Sequence, residues 1–153
     1  MRIQAITEVE TSAIAKWEYP DELSIYNHEE IELGNASFFA VYNEEDFTGF
    51  GVSGVDAIVQ GLEENALTLD IGLGMAPHLI RKGLGKKFGK TVLAEVTKKS
   101  KYGGYTYLRC AIYSWNTVSL HIAKSAGFNE VETIVNSNGE FIILKTSTTE
   151  LRL

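Results

Sequence analysis

The chain has 153 residues, 44% of them hydrophobic and 22% charged, with two prolines and one cysteine; this fits one globular domain over residues 1–153 and excludes a disulfide-stapled or low-complexity protein. The net charge of −6 argues against general affinity for nucleic acid or an anionic membrane, and no apolar run approaches the roughly 20 residues that cross a bilayer. The N-terminus lacks the apolar stretch of a signal peptide, and the three histidines (His28, His78, His121) lack metal-ligand spacing, so a soluble, cytoplasmic, metal-free protein is expected.

In chain order, residues 2–7 alternate like a short strand, and residues 11–17 and 28–33 read as short helices around an irregular stretch at 18–24. Residues 37–43 and 47–55 are rich in β-formers and flank Glu44-Glu45-Asp46, which predicts an antiparallel hairpin. The next strand is expected at 66–75. From Gly83, the apolar residues Leu84, Phe88, Val92, Leu93 and Val96 follow helical spacing to about Lys99, and Gly103-Gly104 would end that helix. Residues 105–113 alternate as a strand, Asn116 opens a helix to Ala126 that Gly127 stops, and strands at 129–135 and 140–146 turn at 136–139. This order predicts an α+β protein with a mixed sheet and one parallel pair of strands around the long helix.

Charge is unevenly distributed. Residues 1–70 hold fifteen acids against two bases, whereas residues 81–101 hold eight bases against Glu95 alone. The basic run coincides with a glycine-bearing turn: a strand carrying Asp70, an exit at Pro77, then Arg81-Lys82-Gly83-Leu84-Gly85-Lys86. Glycines let the backbone approach a ligand, and the first N–H groups of a helix have no intrahelical acceptors. With the helix dipole and Arg81, Lys82, Lys86 and Lys87 beside it, the turn suits a polyanion such as a pyrophosphate. The run has no Gly-Lys-Ser/Thr of a P-loop, and Pro77 breaks any Gly-x-Gly-x-x-Gly starting at Gly72, which removes the main support for ATP or NAD.

Pro77 followed by Arg81-Lys-Gly-Leu-Gly resembles the pyrophosphate-binding segment of the GNAT acetyltransferases, and Asn116 through Gly127-Phe128 resembles their second motif. The resemblance implies a three-layer fold with a mostly antiparallel sheet of six or seven strands flanked by helices, and an N-acetyltransferase that moves an acetyl group from acetyl-CoA to a primary amine in a ternary complex. It implies that the backbones of Leu73, Gly74 and Met75 pair with the pantetheine arm as an added strand would. It further implies that Arg81, Lys82, Gly83, Leu84, Gly85 and Lys86 surround the pyrophosphate, and that Asn116 contacts the CoA arm. A homodimer is compatible with it.

By the same resemblance Asp70 stands where many members carry a strand glutamate that takes the amine proton; a solvent-facing strand position is the simpler alternative. Where many members place a tyrosine that protonates the departing thiolate, this chain has Ala123, leaving Tyr113, Ser119 or a water for that task. Asn116 suits an N-cap, with or without a cofactor contact. Cys110 reads as a small buried residue. Trp17, Tyr19, Tyr26 and His28, set among Glu18, Asp21, Glu22, Glu29 and Glu30, fall in the segment that shapes the family's acceptor pocket. They suit a cationic amine or, equally, a small core with an acidic rim. A non-catalytic acyl-CoA-binding module is the alternative function.

Overall fold

The computed structural model describes residues 1–27 and 37–153; the helix expected at 28–33, with His28, Glu29 and Glu30, lies outside the described residues. The strands are β1 (Arg2–Ala5), β2 (Phe38–Asn43), β3 (Asp46–Ser53), β4 (Thr68–Met75), β5 (Tyr107–Tyr113), β6 (Asn129–Asn136) and β7 (Gly139–Ser147). They form a seven-stranded sheet in the order β1-β2-β3-β4-β5-β7-β6. The helices are α1 (Glu8–Ala15), α2 (Gly85–Gly103) and α3 (Thr117–Ser125). The α+β class and the mixed sheet are as the sequence predicts. By its contacts the chain divides into two compact units, one of residues 1–52 and 73–92, the other of residues 53–72 and 93–153.

In the first unit, β1 and β3 each pair antiparallel with β2, and the hairpin turns through Glu44, whose φ is 57°. Helix α1 begins three residues earlier than its apolar spacing suggests. Thr7 caps it, and the buried Glu10 carboxylate takes the Thr7 N–H at 2.9 Å and the Tyr42 hydroxyl at 2.9 Å, a reciprocal cap that fixes the start. Ile14, Phe38, Phe39, Val41, Phe50, Phe88 and Val92 are buried here. The stretch read as irregular contains a 3-10 helix at Asp21–Tyr26.

In the second unit, β4 and β5 are the parallel pair, in register at Thr68↔Tyr107, Leu69↔Leu108 and Asp70↔Arg109. Antiparallel β5–β7 and β7–β6 ladders complete it. Leu69, Ile71, Leu93, Val96, Leu108, Phe128, Ile143 and Leu144 are buried. Helix α2 runs on to Gly103, past the expected Lys99. It stops where Gly104 takes φ +75° and the Tyr105 N–H reaches back to the Ser100 carbonyl at 2.9 Å, a glycine C-cap of the Schellman type.

Candidate functional site

The first unit carries the strand end and the turn that the sequence singles out. The β4–β5 ladder runs through Asp70↔Arg109, while β4 itself continues to Met75. Strand β4 holds its course there by close packing against β3. A Cβ at Gly74 would lie 2.4 Å from the Phe50 ring, one at Gly49 would lie 2.3 Å from the Gly74 carbonyl, and the Ala76 N–H donates to the Thr48 carbonyl at 2.8 Å. Both glycines are therefore demanded by close approach.

After a 3-10 turn at Pro77–Leu79, the chain enters α2 through two left-handed residues, Arg81 at φ 62° and Gly83 at φ 78°. A Cβ at Gly83 would meet nothing within 4 Å, so backbone conformation, and not packing, calls for glycine. The Phe88 N–H donates to the Leu84 carbonyl at 2.9 Å, the first bond of the helical ladder. The amides of Gly85, Lys86 and Lys87 thus have no acceptor within the helix. Arg81, Lys82, Lys86 and Lys87 are exposed around this end. The arrangement can hold an anion by main-chain donors, helix dipole and full charges together.

Beside the strand end lies an aromatic segment. Trp17 stacks on Phe47 and Phe50 with ring centroids 5.5 and 6.1 Å apart, and Tyr19 meets Trp17 and Tyr26 edge to face. The Tyr19 hydroxyl donates to the Met75 carbonyl at 2.6 Å. The structure therefore brings Trp17, Tyr19 and Tyr26 together and fastens them to the strand that holds Leu73, Gly74 and Met75.

The second unit holds Asp70, Tyr113, Ser119 and Asn116. Asp70 is only 3% exposed, which overturns the solvent-facing alternative. Its carboxylate takes two donors from Arg109, Nε at 2.7 Å and a terminal nitrogen at 3.0 Å, and the same terminal nitrogen reaches the Glu63 carbonyl at 2.8 Å. Arg109 is the residue that sequence reasoning missed. An arginine one strand away from an aspartate in a parallel pair was the available signal, and its meaning depended on the register.

Tyr113 is buried, with its ring 4.2 Å from Phe141 and stacked 5.3 Å from Trp115. Burial pushes its hydroxyl pKa up, so the phenol holds its proton at neutral pH. Asn116 is the N-cap of α3, accepting the Ser119 N–H at 3.3 Å, while Ala123 lies within α3. Burial, and then the charge of Asp70, push the Cys110 thiol up to about 12. The groups of His, Cys, Asp and Glu among the described residues include none arranged to hold a metal ion, and no helix of the described residues is long and apolar enough to cross a membrane.

No protein-family model and no curated protein matches the chain. Solved structures match it over nearly its whole length at low identity. The aminoglycoside acetyltransferase AAC(6')-Ib, in complex with ribostamycin and coenzyme A, is 16% identical with a TM-score of 0.71, covering 97% of this chain and 93% of that one. The putative acetyltransferase yncA of Salmonella typhimurium, with its cofactor acetyl-CoA, is 17% identical at 0.61, covering 96% and 93%. A spermidine N-acetyltransferase chimaera from Vibrio cholerae and hSSAT is 12% identical at 0.67, covering 97% and 96%. The chain has the fold these acetyltransferases share, that of the GNAT superfamily.

Proposed function

We propose that this chain, with its GNAT fold, is an acetyl-CoA-dependent N-acetyltransferase acting on a primary amine. The observation that carries the proposal is the left-handed Arg81–Gly83 turn that delivers the open, basic start of α2 just after a strand end lying beyond the β4–β5 ladder. A pyrophosphate is the anion best matched to the amides and side chains of Arg81, Lys82, Gly83, Leu84, Gly85 and Lys86. Leu73, Gly74 and Met75 would pair by main chain with the pantetheine arm. Asn116, whose cap role is already given by its bond to the Ser119 N–H, would add a contact to the CoA arm.

Acetyl-CoA supplies an activated thioester. The amine nitrogen forms a bond to its carbonyl carbon, the C–S bond breaks, and the thiolate leaves while the amine loses a proton. Trp17, Tyr19 and Tyr26 would form the acceptor wall, and their faces suit an alkylammonium. The acidic bias of residues 1–70 draws a cationic amine, in keeping with the ribostamycin and spermidine named for two of the neighbours. Tyr113, protonated at neutral pH, is the candidate donor to the thiolate, with Ser119 second. Asp70 would take the amine proton only through water, since Arg109 occupies its carboxylate.

The second reading, an acyl-CoA-binding module without turnover, is favoured by two observations: Asp70 is locked by Arg109, and alanine stands at position 123. Steady-state release of CoA thiol with ribostamycin, spermidine and a panel of simpler primary amines separates the two. Amine-dependent, saturable thiol release supports the transferase, whereas tight acetyl-CoA binding with no release on any amine supports the module.

A further inference from the structure

The Tyr19–Met75 hydrogen bond joins two parts of the first unit that the proposed reaction uses separately. The segment from Tyr19 to Asn27 closes on itself, because the Tyr19 N–H donates to the Asn27 side-chain carbonyl and the Asn27 N–H donates to the Ser24 carbonyl. Asn27 thus gathers the loop at Tyr19, and the phenol oxygen of the same residue carries it to the Met75 carbonyl at 2.6 Å. The neighbouring support is apolar: Trp17 stacks on Phe50, and the Phe50 ring fills the place of a side chain at Gly74. A flat aromatic stack permits sliding, whereas a short hydrogen bond to one carbonyl fixes position.

We propose that Tyr19 is a positioning residue: its hydroxyl sets the place of the 19–27 segment on the end of β4, so that cofactor bound along Leu73–Met75 organises the acceptor wall. The inference rests on the reading of Leu73–Met75 as the strand that carries the acyl arm. The phenol oxygen then serves the strand, and the ring alone faces the acceptor. A cofactor that stiffens the strand end stiffens its carbonyl, and the segment hanging from that carbonyl exchanges its amide protons more slowly.

Hydrogen–deuterium exchange of residues 19–27, measured with and without saturating CoA on wild type and Tyr19→Phe, tests this without knowledge of the acceptor. In wild type, CoA is expected to slow exchange of this segment about fivefold, the low end of ordinary coupling between two sites. In Tyr19→Phe, the CoA-dependent slowing falls below about twofold and the calorimetric Kd for CoA rises by about the factor lost, as reciprocal coupling requires, while α2 exchanges as before. Equal CoA-dependent slowing in both proteins overturns the proposal, as does a change in CoA Kd that departs from the lost slowing in either direction, since the two are reciprocal. CoA that fails to bind wild type overturns it together with the transferase reading, and that outcome is told apart by the calorimetry.

Discussion

Asp70 and Arg109 form a buried ion pair in which each group depends on the other. Replacing Asp70 with asparagine leaves an unpaired guanidinium in the second unit and is expected to destabilise the protein by about 3–5 kcal/mol in urea denaturation. An Asp70→Asn, Arg109→Met double variant recovers much of this. Simple additivity of the two single losses would mean that the pair is not coupled. Glu10 is a buried carboxylate held by hydrogen bonds. Burial pushes its pKa up, but hydrogen bonds from the Thr7 backbone, Tyr42, the Thr7 hydroxyl and Gln4 outweigh burial and hold it below the ordinary value. Its stabilisation is therefore full above the unfolded carboxylate pKa of about 4.3 and is lost as pH falls through the lower folded value. Glu10→Gln should cost stability at pH 7 and progressively less on acidification below about pH 4, as read by thermal melts across pH. At Cys110, a thiol pushed up to about 12 leaves only about one part in ten thousand as thiolate at pH 8. Disulfide reagents should label it in the unfolded chain and not in the folded one, so thiol release in the transfer assay reports CoA.

Among the elements, the β4 end and the α2 start divide the work of glycine in two ways. Gly74→Ala would set a methyl 2.4 Å from the Phe50 ring, an overpacking that costs about 1–3 kcal/mol and displaces the aromatic stack. Gly83→Ala meets open space, so its cost is the left-handed backbone alone, about 1–2 kcal/mol. Chemical denaturation orders the two, and only Gly74→Ala should also alter the near-ultraviolet signal of Trp17. Most elements were legible because their patterns are local: the period of α2, the Asn116 cap and the 136–139 turn need only a few neighbouring residues. The start of α1 was not, because the apolar spacing begins inside the helix while the cap at Thr7 and Glu10 sets its edge. The burial of Asp70 was hidden for a different reason. A lone acid in a strand carries no sign of its partner, and only the β4–β5 register brings Arg109 to it.

At the scale of the whole molecule, the acidic 1–70 and basic 81–101 stretches are the signal behind the proposed anion site, and the turn proposed to hold it has left-handed backbone at Arg81 and Gly83. The proposed acceptor wall was illegible: the spacing of Trp17, Tyr19 and Tyr26 does not reveal the Met75 carbonyl to which Tyr19 donates, because folding alone brings the strand end near. The fold is shared by acetyltransferases with different named amines, so fold does not choose among them. Calorimetric titration of the protein with acetyl-CoA and with CoA, repeated on a variant carrying Gly83→Glu and Gly85→Glu, tests the central claim most directly. Wild type should bind at one site per chain, weakened by rising salt as an anion site must be, and binding should be abolished in the variant while its circular dichroism stays native. Absence of binding to wild type, or equal binding to the folded variant, would contradict that claim.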